Sequence, residues 1–424
     1  MRLLYTFLFI PFFFLNASAQ QPQTLRIDPA FASGVPVSQV FEVNYIPLET
    51  TKESLFGTIN KLEINDQYFI IFDRSTNAIL LFDKKGKFHT KIPGKGADIF
   101  SFDYEKEAQR IRIFSTTNKQ LSNQIRTKAE ADSAGVIALM NRFIKVAYYD
   151  LDGKVLKVSA PGNLLTPATL TSVYLPKGIS FSNFAIAGED GPDSQAFELN
   201  LYKDGQIYQS YFSYNRKQDV ARYGRYLNNP AGFSRSQNDT GFYFTRPLDY
   251  SIFELTPHTI HEKYRLIFLM KNSVPETFLT NKISQNDRII FLRDNPSIIT
   301  GLSNIHERKD RLFFKINNNE RRSSGSTSLL FNLKTGQLIS INNLTSDSST
   351  SFLPMFDYPF SYESFKTVDK DYFYTYISSL RMFQAKEGNS DKNVSYPPML
   401  EKYFQKGDKK DNPVIVQLKP KVNP

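Results

Sequence analysis

The chain has 424 residues, no Cys, only four His and a formal net charge of +10. The missing thiols exclude disulfides, thiolate catalysis and thiolate metal ligation, and so few imidazoles leave little material for a zinc centre. The basic charges are scattered, and the densest clusters, Glu320-Arg321-Arg322 and Lys406 to Asp411, mix both signs, which reads as a solvated surface and argues against a nucleic-acid partner.

In chain order, residues 1–19 come first: one Arg, an apolar run from Leu3 to Leu15, then Asn16-Ala17-Ser18-Ala19. That is the pattern of a secretory signal peptide cleaved after Ala19. The run is about 13 residues, short of the roughly 20 that span a bilayer. The expected mature chain, from Gln20, is exported to the periplasm or beyond, without a transmembrane segment. It cannot be a Cys-anchored lipoprotein. Residues 20–39 carry Pro22, Pro29, Gly34 and Pro36 and read as an irregular lead. Residues 40–424 read as one domain.

The unit of that domain is clearest between Thr58 and Ile92. Four apolar runs, Ile59–Ile64, Tyr68–Phe72, Ile79–Phe82 and Phe88–Ile92, alternate with turn residues: Asn65-Asp66, Asp73 to Asn77, and Lys84-Lys85-Gly86. Short turns between strands make antiparallel neighbours, and four such strands make a propeller blade. A strand, a charged Gly turn and a further strand recur in FDKKGKF, YDLDGKV, YKDGQI and FNLKTGQL, around Gly86, Gly153, Gly205 and Gly336. The predicted second unit holds Arg110–Ser115, Phe143–Tyr149 and Val155–Ser159, with an insertion at Asn118–Arg142 and a helix near Lys128–Leu139. The third holds Asn183–Ala187, Phe197–Tyr202 and Gln206–Tyr214. The fourth holds Gly241–Phe244, Tyr250–Leu255 and Tyr264–Leu269. The fifth holds Gly301–His306, Arg311–Ile316, Ser328–Asn332 and Gln337–Ile341. The sixth holds Tyr362–Val368, Tyr372–Ile377 and Val414–Leu418.

The predicted fold is therefore all-β: a six-bladed β-propeller of four-stranded antiparallel blades. The sixth unit is one strand short, and Val40–Leu48 is one strand in excess. An open sheet edge is a liability, so the N-terminal strand is expected to close the last blade beside Val414–Leu418. A helical insertion at about 378–411 interrupts that blade, with helices at Ser379–Lys386 and Pro398–Gln405; the second opens on Pro, as a first helical turn tolerates.

The segments Pro47-Leu48-Glu49-Thr50, Gly57, Asp73-Arg74, Asp83 to Lys87 and Asp411-Asn412-Pro413-Val414-Ile415-Val416 resemble a six-bladed, NHL-like β-propeller family of exported Bacteroidetes proteins. One departure is Pro93-Gly94-Lys95-Gly96-Ala97-Asp98, which lacks the third Gly that such proteins often carry there. The resemblance implies the fold and an exported protein. It implies no activity, because the family's members are mostly of unknown function.

Gly94-Lys95-Gly96 precedes a strand-like run, Ile99 to Tyr104, rather than a helix, so a blade-to-blade loop outweighs a phosphate cradle. Asp73 and Arg74 fall where a second strand hands over to a third. Arg246, Arg321, Arg322, Glu189 and Asp190 fall at equivalent places, and Phe102, Tyr104 and Tyr243 could add stacking faces around a channel mouth. Charged groups with aromatic faces suit sugars and peptides. Arg74 could grip an anion bidentately, although a structural pairing outweighs that role. The acidic turn Gly188 to Asp193 lacks the ladder of a dedicated calcium loop, and His258 with His261 flank a strand turn rather than sharing a helix face. No cofactor is expected, with calcium at the acidic turn the weakly supported alternative. The expected function is a monomeric, non-catalytic module that binds a glycan, a peptide or an envelope protein at the channel mouth. The alternative is a lyase or hydrolase with a metal or charged site in the central channel.

Overall fold

The computed structural model describes residues 21–121, 124, 133–159, 173–175, 179–182, 196–204, 206–214, 232–236, 241–280, 282–318, 326–357 and 365–421. The chain enters through β1 (Gln23–Arg26) and β2 (Phe41–Pro47). Blade one is β3 (Lys61–Ile64), β4 (Tyr68–Asp73), β5 (Ala78–Asp83) and β6 (Phe88–Pro93). Blade two is β7 (Asp98–Glu105), β8 (Arg110–Thr116), β9 (Ile144–Tyr149) and β10 (Val155–Ser159), with helix α1 (Ser133–Phe143) inserted between β8 and β9. Blade three is β11 (Val173–Leu175), β12 (Ile179–Ser182), β13 (Ala196–Lys203) and β14 (Gln206–Tyr214).

Blade four is β15 (Gly232–Arg235), β16 (Phe242–Thr245), β17 (Ser251–Leu255) and β18 (Ile260–Ile267). Helix α2 (Gln285–Asp294) separates it from blade five: β19 (Gly301–Arg308), β20 (Arg311–Asn317), β21 (Ser326–Asn332) and β22 (Leu338–Ser340). Blade six is β23 (Thr367–Val368), β24 (Phe373–Ile377) and β25 (Val414–Pro420), with helices α3 (Ser379–Gly388) and α4 (Pro398–Lys406) between the last two. Within each blade sequential strands pair antiparallel. The first strands of neighbouring blades touch, β15 on β19 and β23 on β3, which places first strands around the axis.

The middle strands are apolar on both faces because each blade is packed between two others. In β4 and β5 the side chains divide with a period of two. Phe69, Ile71, Leu80 and Phe82 join Ile46, Tyr374 and Ile415 at the seam with blade six, while Ile70, Phe72, Ile79 and Leu81 join Phe102, Ile111 and Ile113 at the seam with blade two. The seams between blades three and four, four and five, and five and six are built the same way, around Leu201 with Phe242, Tyr243 with Leu312, and Phe313 with Phe373.

β2 pairs antiparallel with β25 along its whole length, Phe41 opposite Pro420 through Pro47 opposite Val414. The fourth strand of blade six thus comes from the N-terminal side of the chain, as expected. The residues around this junction form a clasp. Asn412 is fully buried; its Nδ2 donates to Glu49 O (2.8 Å) and Ser54 O (2.9 Å), and its Oδ1 accepts from Phe56 N (3.0 Å). Glu49 N donates to Gly86 O, and Glu49 Oε2 accepts from Phe88 N, both at 2.8 Å. Gly86 has φ +81°, and a Cβ there would stand 2.1 Å from Pro47 O, so only glycine fits.

Three sequence expectations need correction. The lead at 20–39 is not wholly irregular: β1 adds a parallel fifth strand to blade four beside β18, and Ser33 and Pro36 bridge to Ile339 and Thr345. Four residues suffice for such a strand, too few to show a periodicity. The sequence carries no clear signal for β15, the first strand of blade four, because Gly232–Arg235 (GFSR) is short and broken by small and polar residues. Nor does it signal helix α2, since QNDRIIFLRD has no clean apolar stripe. Of the helix expected near Lys128–Leu139, the described part runs further, to Phe143. The strand expected at Asn183–Ala187 lies outside the described residues.

Candidate functional site

Connections between second and third strands, and between blades, emerge on one side of the sheets; the remaining turns emerge on the other. The two sides differ. Residues 65–67, 84–87, 256–259, 309–310 and 369–372 make tight turns on one side. Among the described residues, the other side receives the connections that carry α1, α2, and the pair α3 and α4. α3 and α4 are held together by Phe383 against Tyr403 and Phe404, ring centroids 5.3 Å apart in both pairs, and by Tyr403 OH donating to Ser379 Oγ at 2.7 Å.

On that side the expected site residues divide by what they touch. Asp73 is fully buried and is the hub of its own turn. It accepts from Ser75 Oγ (2.7 and 2.8 Å), Thr76 Oγ1 (2.7 Å), Thr76 N (2.9 Å), Ser75 N (3.2 Å) and Thr58 N (3.3 Å). Burial alone would raise its pKa, but the Thr76 and Ser75 hydroxyls and the Thr76 and Thr58 amides outweigh it and hold the carboxyl below its ordinary value. Asp73 therefore shapes the loop and has no oxygen to spare for a ligand. Arg74 is exposed, with its backbone N–H tied to Asn60 Oδ1 at 2.7 Å.

Phe102 is a core residue rather than a stacking face. It is fully buried in the seam between blades one and two, with Phe72 at 6.5 Å. Tyr104 is half-buried in the same seam, one residue from the turn that joins β7 to β8, and so faces away from the insertions. What the first strands present here is a charged network absent from the sequence reading. Lys61 Nζ reaches Asp103 Oδ1 and Glu63 Oε1, each at 3.2 Å, and Arg112 Nη2 meets Asp103 Oδ2 at 2.8 Å. Burial opposes the Lys61 charge, but Glu63 and Asp103 together push its pKa up. Its members come from adjacent blades, a juxtaposition that needs the fold.

Arg246 makes the paired geometry weighed for Arg74. Its Nε and Nη2 hold both oxygens of Glu198 at 2.8 and 2.6 Å, Nη1 holds Asp249 at 3.0 Å, and the guanidinium lies 4.5 Å from the Phe212 ring centroid. Glu198 is 2% exposed and belongs to β13, so the pair locks blade three to blade four. Tyr243, offered as a stacking face, is likewise buried, donating to Glu307 Oε2 at 2.7 Å. Arg321, Arg322, Glu189 and Asp190, with the acidic turn at 188–193, lie outside the described residues.

The Gly94-Lys95-Gly96 segment is the blade-to-blade loop expected. Asn77 pins it, donating from Nδ2 to Ala97 O and accepting at Oδ1 from Ile99 N, both at 2.8 Å. Among the described residues no group of three or more His, Asp and Glu is arranged to hold a metal ion. His261 stands 3.6 Å from Glu254 and His258 lies in the preceding turn, so the two do not converge on one point.

The seam between blades five and six holds a further feature. β19 bulges between Ser303 and His306, with Asn304 at φ +52°. Asn304 Nδ2 donates to Phe365 O at 3.4 Å, which turns its Oδ1 to His306 Nε2 at 3.1 Å. The imidazole therefore carries its proton on Nε2. Its Nδ1 is left a bare acceptor, buried and without a partner. Burial, reinforced by the charge of Arg308, lowers the His306 pKa to about 3, so the ring is neutral. A lone His in a strand gave no signal of this; the bulge creates it.

No curated protein matches the chain in sequence. Residues 27–129 match the model of a family described as a 6-bladed beta-propeller. Among solved structures, a Bacteroides fragilis protein named for its expected export superposes with a TM-score of 0.61 at 15% identity, covering 95% of this chain and all of that one (100%). A Bacteroides vulgatus protein gives 0.43 at 11% identity, covering 90% of this chain and 99% of that one. A streptogramin B lyase gives 0.30 at 13% identity over 72% of this chain and 74% of that one. No helix among the described residues is long and apolar enough to cross a membrane. Strand order, seam packing and the match over residues 27–129 agree: the chain is a six-bladed β-propeller, similar in fold to a Bacteroides protein named for export.

Proposed function

We propose that this protein is an exported, non-catalytic binding module that engages a glycan, a peptide or an envelope protein through the side bearing the inserted segments. The observation that carries this reading is the asymmetry of the connections among the described residues: tight turns on one side, three helix-bearing insertions on the other. Loops carried on a rigid scaffold are where binding surfaces concentrate. The N-terminal sequence pattern and the expected export of the similar B. fragilis protein support the location.

The test is a thermal-shift panel on the chain from Gln20, with glycans, peptides and divalent metals against EDTA. A ligand that binds only the folded state raises Tm by mass action. The expected result is a shift with a sugar or peptide that persists in EDTA and is lost when residues 380–410 are replaced by a short linker. Turnover of a ligand in the panel would replace this reading with the enzymatic one.

A further inference from the structure

We propose that the seam between blades five and six, at its insertion-bearing end, binds a hydroxylated carboxylate, with the carboxylate on Lys315 and a hydroxyl proton on His306 Nδ1. This rests on the binding reading above and names the chemistry of the ligand.

The argument begins with the cations on that side. Lys61 is neutralised by Glu63 and Asp103, and Arg246 by Glu198 and Asp249. Lys315 differs from both. It is half-buried on β20, two residues from the strand's insertion-side end, and among the described residues its ammonium makes no hydrogen bond or ion pair. Burial lowers its pKa with no acidic group opposing. A partly desolvated cation without a counter-charge destabilises the fold that holds it. A ligand anion would remove that cost.

The second observation is independent of the first. His306 lies directly opposite Phe313 in the β19–β20 ladder, and Lys315 follows Phe313 by two residues, so the three side chains share one face. Phe313 packs on Phe365 and Phe373 of blade six, and His306 packs on the same two rings. Lys315 and His306 are diagonal neighbours, about 7 Å apart at Cα, with Lys315 nearer the insertions. The seam thus offers a cationic donor near its mouth and, one layer deeper, a neutral acceptor with a vacant lone pair. His306 is only 7% exposed, and its tautomer is fixed by Asn304. A carboxylate answers the first group and a hydroxyl the second.

A hexuronate carries both on one ring, so D-glucuronate is the probe, with D-glucose and acetate as controls that each lack one group. Binding is read by calorimetry and thermal shift on wild type, Lys315→Met and His306→Phe. Expected are a Tm increase with D-glucuronate larger than with either control, a loss of about tenfold or more in affinity in Lys315→Met, and a fall to the acetate level in His306→Phe. Without ligand, Lys315→Met should melt above wild type, because an uncompensated charge has been removed. No effect of millimolar D-glucuronate, an unchanged affinity in Lys315→Met, or a lower Tm of that variant without ligand each overturns the proposal. A different panel ligand that binds wild type and Lys315→Met equally would overturn it while leaving the insertion-side reading in place.

Discussion

Every polar atom of Asn412 is engaged, all but its carbonyl in joining the two ends of the chain. Its side chain serves Glu49 O, Ser54 O and Phe56 N, its N–H goes to Thr50 Oγ1 and its carbonyl accepts from Ser379 Oγ. Asn412→Ala would leave Ser54 O and Phe56 N buried and unpaired, while Glu49 O keeps the Ser54 hydroxyl, and should cost about 2–4 kcal/mol in denaturant melts. Arg246→Met should cost about 3 kcal/mol or more, since Glu198 would be left buried without its partner; a loss under about 1 kcal/mol would mean the pair is solvated. His306 gives a pH dependence. Its folded pKa of about 3 lies below the unfolded value of 6.5. As pH falls through that interval the unfolded chain takes up a proton the folded one refuses, so stability drops, by up to about 1.4 kcal/mol per pH unit. Compared with wild type, His306→Phe should show a shallower loss between pH 6 and about pH 4.

At the scale of elements, the outer strands share a device that no single turn reveals. The ladders of blades one to four each slip by one residue on the fourth strand, leaving His89, Leu156, Tyr208 and Lys263 as extra residues. Bulges bend and twist a strand, which at the outer edges of blades one to three discourages pairing with other chains, whereas β18 is covered by β1. Three of them also reach the next blade: His89 Nε2 to Asp152 Oδ1 at 2.9 Å, Tyr208 OH to Pro257 O at 2.8 Å, and Lys263 Nζ to Glu307 Oε2 at 2.8 Å. Gly86→Ala should disturb a neighbouring junction, because its Cβ would strike Pro47 O. A Tm loss comparable to that of Asn412→Ala is expected, and an unchanged Tm would mean β2 is not seated there.

Much of this level was legible in advance. The Asp-x-x-Gly turns and the apolar runs separated by turn residues in β3 to β6 are local signals, and α4 follows from a Pro at its first turn. The candidate site was less so. Asp73, Phe102 and Arg246 were placed on the correct loops and strands, but one sequence does not say which side chains a neighbouring blade will consume. Glu198 lies 48 positions from Arg246, and only the fold joins them.

At the scale of the whole molecule, β25 lies between β24 and β2 and belongs to both ends of the ring. Ending the chain at Asp411 should therefore abolish cooperative melting, although the lost residues number only about a dozen in the sequence. If that truncated chain melted at the parent temperature, the β2–β25 pairing would be dispensable. The residues at 23–47 meanwhile run past the outer edges of blades four and five before they reach blade six. Each of these pairings joins a segment to one made hundreds of residues later. A chain emerging from a ribosome thus cannot seat its strap at 23–47 until blades four and five exist, nor close its ring until Pro420 has appeared. Until then the fold is held open by topology alone, and refolding of the whole chain should be limited by the docking of these two distant segments.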